Sequence, residues 1–154
     1  MNDVISRVEE ALAKSHLLFS EKPILIGGTA MEYYGLRKAG KDMDWIITED
    51  DYQRLAQQFP EHHKELCGDL GIEIGDFDMW RSFSLFDYSF FKQGSVETEY
   101  FRILSIDRLL WMKVCLMEIE KHRKDLDLIQ AYYEKYYRNQ QYVQHAVSQN
   151  ILPT

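Results

Sequence analysis

Two acids spaced two residues apart open an apolar run, Asp42-Met43-Asp44-Trp45-Ile46-Ile47. On a strand, side chains alternate between faces, so Asp42 and Asp44 are expected to point the same way, roughly 6.6 Å apart along the chain. Two carboxylates in one small volume repel unless a proton or a cation stands between them, and hard divalent ions such as Mg²⁺ take oxygen ligands of this kind. Upstream, Gly27 and Gly28 allow a sharp turn and a close backbone approach to a ligand. Thr29-Ala30-Met31-Glu32 fits a capping box, with Thr29 capping a new helix and Glu32 reaching back. Backbone N–H groups at a helix start favour phosphate. A phosphate cradle followed by a paired-acid strand points to a site for a metal-bound nucleoside triphosphate.

Those residues need a scaffold. The pattern predicts a strand over 24–27, a helix over 30–34 ended by Gly35, a polar loop over 36–41 and a second strand over 43–47. The loop carries Arg37, Lys38 and Lys41, which either balance the two acids or, through Lys41 or Arg37, touch substrate phosphates. Alone, a Gly-Gly after a strand is a tight turn and an Asp-x-Asp is a solvated strand edge. Their order, with a helix start between them, sets this stretch apart. There is no G-x-G-x-x-G after a strand and no Gly-Lys-Ser/Thr loop, which disfavours a dinucleotide-binding or P-loop enzyme.

Gly27-Gly28-Thr29, a short helix and Asp42-x-Asp44 at the head of an apolar strand resemble the signature of the nucleotidyltransferase superfamily that includes DNA polymerase beta. The similarity is greatest to its compact bacterial branch associated with abortive-infection and toxin–antitoxin systems. There a lysine-bearing helix precedes a basic residue, Lys-Asp and a second aspartate, as in Ser105 to Leu128 (SIDRLLWMKVCLMEIEKHRKDLDL). The resemblance implies an α+β protein with a mixed sheet, helices packed on it and a C-terminal helical segment. It spans one domain over 1–154, with a core of about 20–104 and helices over about 105–150. It implies transfer of a nucleoside monophosphate from an NTP to an acceptor hydroxyl of a small molecule, a tRNA or a protein. Asp42 and Asp44 would hold one or two Mg²⁺ ions, and Gly27, Gly28 and Thr29 would bind the phosphates. A third carboxylate on a neighbouring strand is required. Asp78, set between Phe77 and Met79, fits best, with Asp76 as substitute and Asp87, Glu97 and Glu99 as weaker choices. Lys113 either reaches the phosphates, as the branch implies, or snorkels its ammonium to water from an apolar stripe. Trp45 departs from the pattern, which has a small aliphatic residue there. The alternative is a fold relative without chemistry: a binding protein, or a toxin–antitoxin partner joined through the tyrosine-rich tail.

The rest of the chain sets bounds. Its 154 residues suffice for one core, and 45% apolar and 14% aromatic content argue against disorder. A net charge of −7 disfavours broad nonspecific nucleic-acid binding. The charged start MNDVISRVEE and the lack of a bilayer-length apolar stretch lead to the expectation of a cytoplasmic protein without membrane contact. Cys67 and Cys115 are expected as free thiols. Helices are predicted over 3–16, from Thr48 to Pro60 and over 61–70, where the adjacent His62 and His63 face different ways. Strands are predicted over 72–79, 83–91 and 96–104, and Ser105 is expected to cap a long helix. Opposite charges four apart, Lys121 with Asp125 and Arg123 with Asp127, are expected to pair along it. Tyr132, Tyr133, Tyr136, Tyr137 and Tyr142 mark a last helix or an interface.

Overall fold

The computed structural model describes residues 3–137. The chain divides into two compact units, Met1–Met112 and Lys113–Thr154. The first opens with α1 (Asp3–Ser15), β1 (Ile24–Ile26), α2 (Gly27–Tyr33), β2 (Met43–Ile46) and α3 (Glu49–Gln58). A 3₁₀ turn at Pro60–His62 leads to β3 (His63–Leu66), β4 (Asp69–Ile74) and β5 (Phe77–Trp80). Then follow β6 (Ser82–Phe83), β7 (Phe86–Asp87), α4 (Tyr88–Lys92), β8 (Val96–Glu97), β9 (Arg102–Ile103) and α5 (Ile106–Cys115).

Seven strands form one mixed sheet in the order β3-β4-β5-β2-β1-β9-β8. β2 runs parallel to β5 and β1 parallel to β9, while the other neighbours are antiparallel. This is the expected α+β class. One sheet face carries the core: Leu25, Trp45, Ile47, Ile72, Met79 and Ile103 pack with Val4 and Val8 of α1 and Tyr52 and Leu55 of α3. The apolar period of α1 and α3 places these residues on one side of each helix. Trp45, the residue that departs from the family pattern, is fully buried, with its ring 5.5 Å from Phe77 and 5.9 Å from Phe101. Its indole nitrogen has no hydrogen-bond partner.

Helix starts and stops follow sequence signals in places. Thr48 caps α3 by accepting from the Asp51 amide at 3.1 Å, and Ser105 accepts from the Arg108 amide at 3.2 Å at the head of α5. Gly35, at φ +73°, closes α2: its amide donates to Glu32 and that of Leu36 to Met31, satisfying the last carbonyls.

Five expectations about elements fail. The strand expected over 96–104 is two short strands, β8 and β9, which pair antiparallel with each other. The capping box does not form, because α2 begins earlier, at Gly27, with Ile26 at the cap position; Thr29 is buried inside the first turn and Glu32 turns to other partners. No helix covers 61–70. Cys67 and Gly68 both take positive φ, 52° and 88°, and join β3 to β4 as a tight hairpin. The strand expected over 72–79 is two strands, since Gly75 at φ +58° heads a two-residue turn that folds β5 back on β4. Residues 83–91 are not a strand either: Ser84 and Leu85 turn β6 into β7, and Asp87 caps α4 by accepting from the Ser89 amide.

The second unit is described from Lys113 to Tyr137 and contains α6 (Glu120–Tyr137). Backbone bonds from Met117 to Val114 and from Ile119 to Leu116 tighten the chain between α5 and α6. Along α6 the ring of Tyr132 lies 4.4 Å from that of Tyr136. Tyr142 lies outside the described residues. Among the described residues no helix is long and apolar enough to cross a membrane, and Cys67 and Cys115 are free and exposed.

Candidate active site

The face of the sheet opposite the core carries the acids. Trp45 points into the core, so Asp44 before it points the other way, and the same alternation sends Asp78 and Glu73 to that face. The register aligns them in one row across three strands: Asp44 opposite Asp78, and Asp78 opposite Glu73. Ile26 stands opposite Asp44 on β1, so the chain leaves β1 for α2 beside that carboxylate.

The diglycine bend and Asp44 meet there. Gly27 sits at φ +65°, and a Cβ at that position would lie 2.6 Å from Asp44 Oδ2, inside any real contact. Only glycine fits both the backbone angle and the space. A Cβ at Gly28 would lie 3.3 Å from Arg37 Nη1, so the Arg37 guanidinium covers the second glycine. Thr29 is buried behind them.

The remaining predicted residues fall at three places. Asp42 precedes β2 and is exposed, so strand alternation does not fix its direction; it is still close enough for its charge to bear on Asp78. Asp76 sits in the turn between β4 and β5, off the strand face of Asp78, and pairs with Lys41 at 3.4 Å. Lys41 is thereby paired with Asp76 and not with Asp42 or Asp44, the two acids it was expected to balance. Lys113, in the second unit, does not snorkel: it is buried, 2.9 Å from Asp125 and 3.0 Å from His122 Nδ1. Asp125 thus pairs with Lys113, not with Lys121.

Asp78 is electrostatically perturbed. Burial pushes its carboxyl above the usual range, the charges of Glu73 and Asp42 add to this, and Lys64 opposes it. Lys64 Nζ is 3.2 Å from Asp78 Oδ1 and 3.5 Å from Glu73 Oε2. This buried oxygen thus has the Lys64 ammonium as a counter-charge and no well-formed hydrogen bond. Lys64 was not legible as a site residue. The signal for it is the pair of two-residue turns, Cys67-Gly68 and Gly75-Asp76, which would have marked β3 as a strand beside β4.

In donor chemistry the row fits a hard divalent ion: carboxylate oxygens, one without a hydrogen bond, beside a backbone bend whose two residues carry no side chain of their own. Among the described residues no group of three or more His, Cys, Asp or Glu side chains is arranged as a ready metal cage. Lys64 supplies the positive charge beside Asp78.

No family model matches the chain, and no curated protein does. It is similar to a solved structure. The solution structure of the antibiotic-resistance factor ANT(2'')-Ia superposes with a TM-score of 0.48 at 16% identity, over 92% of this chain and 95% of that one. At that score and identity nothing about the chemistry of this chain follows from the likeness.

Proposed function

We propose that this chain is a metal-dependent nucleotidyltransferase. The observation that carries the reading is the approach of Gly27 to Asp44, with Asp78 in register beside Asp44: a glycine bend set directly against two neighbouring acids. In the proposed reaction an acceptor hydroxyl attacks the α-phosphorus of an NTP, the bond to the bridging oxygen breaks, and pyrophosphate leaves. Asp42, Asp44 and Asp78 would hold Mg²⁺, which neutralises triphosphate charge and stabilises the leaving oxygen. Gly27 and Gly28 would receive the β and γ phosphates through their backbone, with Arg37 covering Gly28 and Thr29 buried behind them. Asp78 takes the hydroxyl proton, and burial raises its basicity toward what a general base needs at neutral pH.

Asp44→Asn keeps the size of the side chain and removes the charge. Release of pyrophosphate from labelled NTPs with Mg²⁺, in the presence of a native-host lysate as acceptor source, falls at least 100-fold in this variant, in line with loss of a transition-state electrostatic contact. Full activity of Asp44→Asn in that assay would end this reading.

A second reading is favoured by Lys64, which already neutralises Asp78: a nucleotide-binding protein on this fold without turnover. It predicts NTP-dependent thermal stabilisation that Mg²⁺ does not increase, and no pyrophosphate from wild type. Placement in the abortive-infection branch rests on the Lys113 motif, whose lysine and Asp125 meet as a buried pair. Co-purification of a heteromeric partner from the native host tests the toxin–antitoxin role.

A further inference from the structure

Asp78 is a partly buried acid in a row of three, and its nearest cation belongs to the chain itself. Lys64 sits on β3 at the end of the sheet, two strands from Asp78. By the β3–β4 register it opposes Gly71, two residues before Glu73, and therefore lies on the acid face. Gly71 makes room for the Trp80 ring. A Cβ there would come within 2.6 Å of that ring, so the indole itself lies over β4 beside the lysine. The ammonium ends 3.2 Å from Asp78, 3.5 Å from Glu73 and 5.9 Å from the centroid of the Trp80 ring. One tethered charge thus serves two carboxylates and an aromatic face, and one Asp78 oxygen keeps no hydrogen bond despite it.

We propose that Lys64 is the resident counter-ion of this carboxylate row, and that a divalent cation gains Asp78 only by displacing the Lys64 ammonium. The proposal rests on the nucleotidyltransferase reading above for the identity of the ion. Two positive charges cannot share one carboxylate at contact distance without mutual repulsion. The lysine therefore sets the affinity for the ion that bridges to Asp78, and it screens the row while no ion is there. Lys64 is a positioning residue, acting through Asp78 and Glu73.

The test is binding of free Mn²⁺, followed by electron paramagnetic resonance, with ATP present and without it. The full chain is compared with Lys64→Met, Lys64→Arg, Asp44→Asn and Lys64→Met/Asp78→Asn. Lys64→Met, which keeps the stem and loses the charge, binds Mn²⁺ roughly tenfold more tightly than wild type, the effect of about 1.4 kcal/mol of removed repulsion. Lys64→Arg binds as wild type does, and the double variant loses the gain. Unchanged or weaker Mn²⁺ binding by Lys64→Met, with binding still abolished by Asp44→Asn, overturns the counter-ion role and leaves the nucleotidyltransferase reading standing. No Mn²⁺ binding by any of these proteins, with ATP or without, overturns both.

Discussion

At the scale of single residues, Asp78 shows the tension between holding a site and holding a fold. Its carboxyl is raised by burial, so the stability it contributes is present while it is protonated and is lost as pH rises through its raised value. At neutral pH the ionised acid is a cost. Asp78→Asn is therefore expected to hold or raise the melting temperature at pH 7 while nucleotidyl transfer is lost; a clear fall in melting temperature with the transfer rate intact would contradict both halves. Asp44 and Gly27 were legible because residue type and order announce them: glycine for an angle few other residues adopt, and an acid inside an apolar run. Lys64 was not, because a lysine on a polar stretch carries no mark until the partner strand is known. Thr29 was misread for a related reason. A Thr-x-x-Glu spacing signals a cap only when the helix starts there, and Gly27 started it earlier.

At the scale of elements, Glu32 ties α1, α2 and the loop before β2 together. Arg7 of α1 donates to Glu32 Oε2 at 2.6 Å and the Ala39 amide donates at 3.0 Å. The hydrogen bond from Arg7 holds the Glu32 carboxyl below the usual glutamate range, against burial and with help from the Ala39 amide. A depressed folded-state value means stability that is present above the ordinary glutamate range and lost as pH falls through the folded one. Glu32→Gln should cost about 1–2 kcal/mol near neutrality, typical of a charge-assisted bond. In urea melts the gap between wild type and variant should close as pH drops below the ordinary glutamate range; a gap that stays constant into acid would refute the assignment. Elements with a strong period, α1 and α3, and the strands around the diglycine were legible. The hairpins were not, because their turns use Cys-Gly, Gly-Asp and Ser-Leu, and two of these place non-glycine residues at positive φ. Reading 61–70 as a helix and 72–79 as one strand follows from missing those two turns.

For the molecule as a whole, the α+β class followed from the family resemblance carried by Gly27-Gly28-Thr29 and Asp42-x-Asp44, while the division into Met1–Met112 and Lys113–Thr154 has no Gly- or Pro-rich linker to signal it. The second unit carries its own buried ion pair, Lys113 with Asp125, both almost fully buried. Removing one partner leaves an uncompensated charge inside, so Asp125→Ala should cost about 3–5 kcal/mol in chemical denaturation, whereas a loss under 1 kcal/mol would mean the pair is solvated. One consequence of the strand order concerns neighbours that the chain avoids. The sheet stops at β3 on one side and β8 on the other. β3 is His-Lys-Glu-Leu, with charge at its centre, and β8 is two residues long. Both margins are poor templates for a stray strand, so the same lysine that faces the acids also helps keep separate copies of the protein from zipping together.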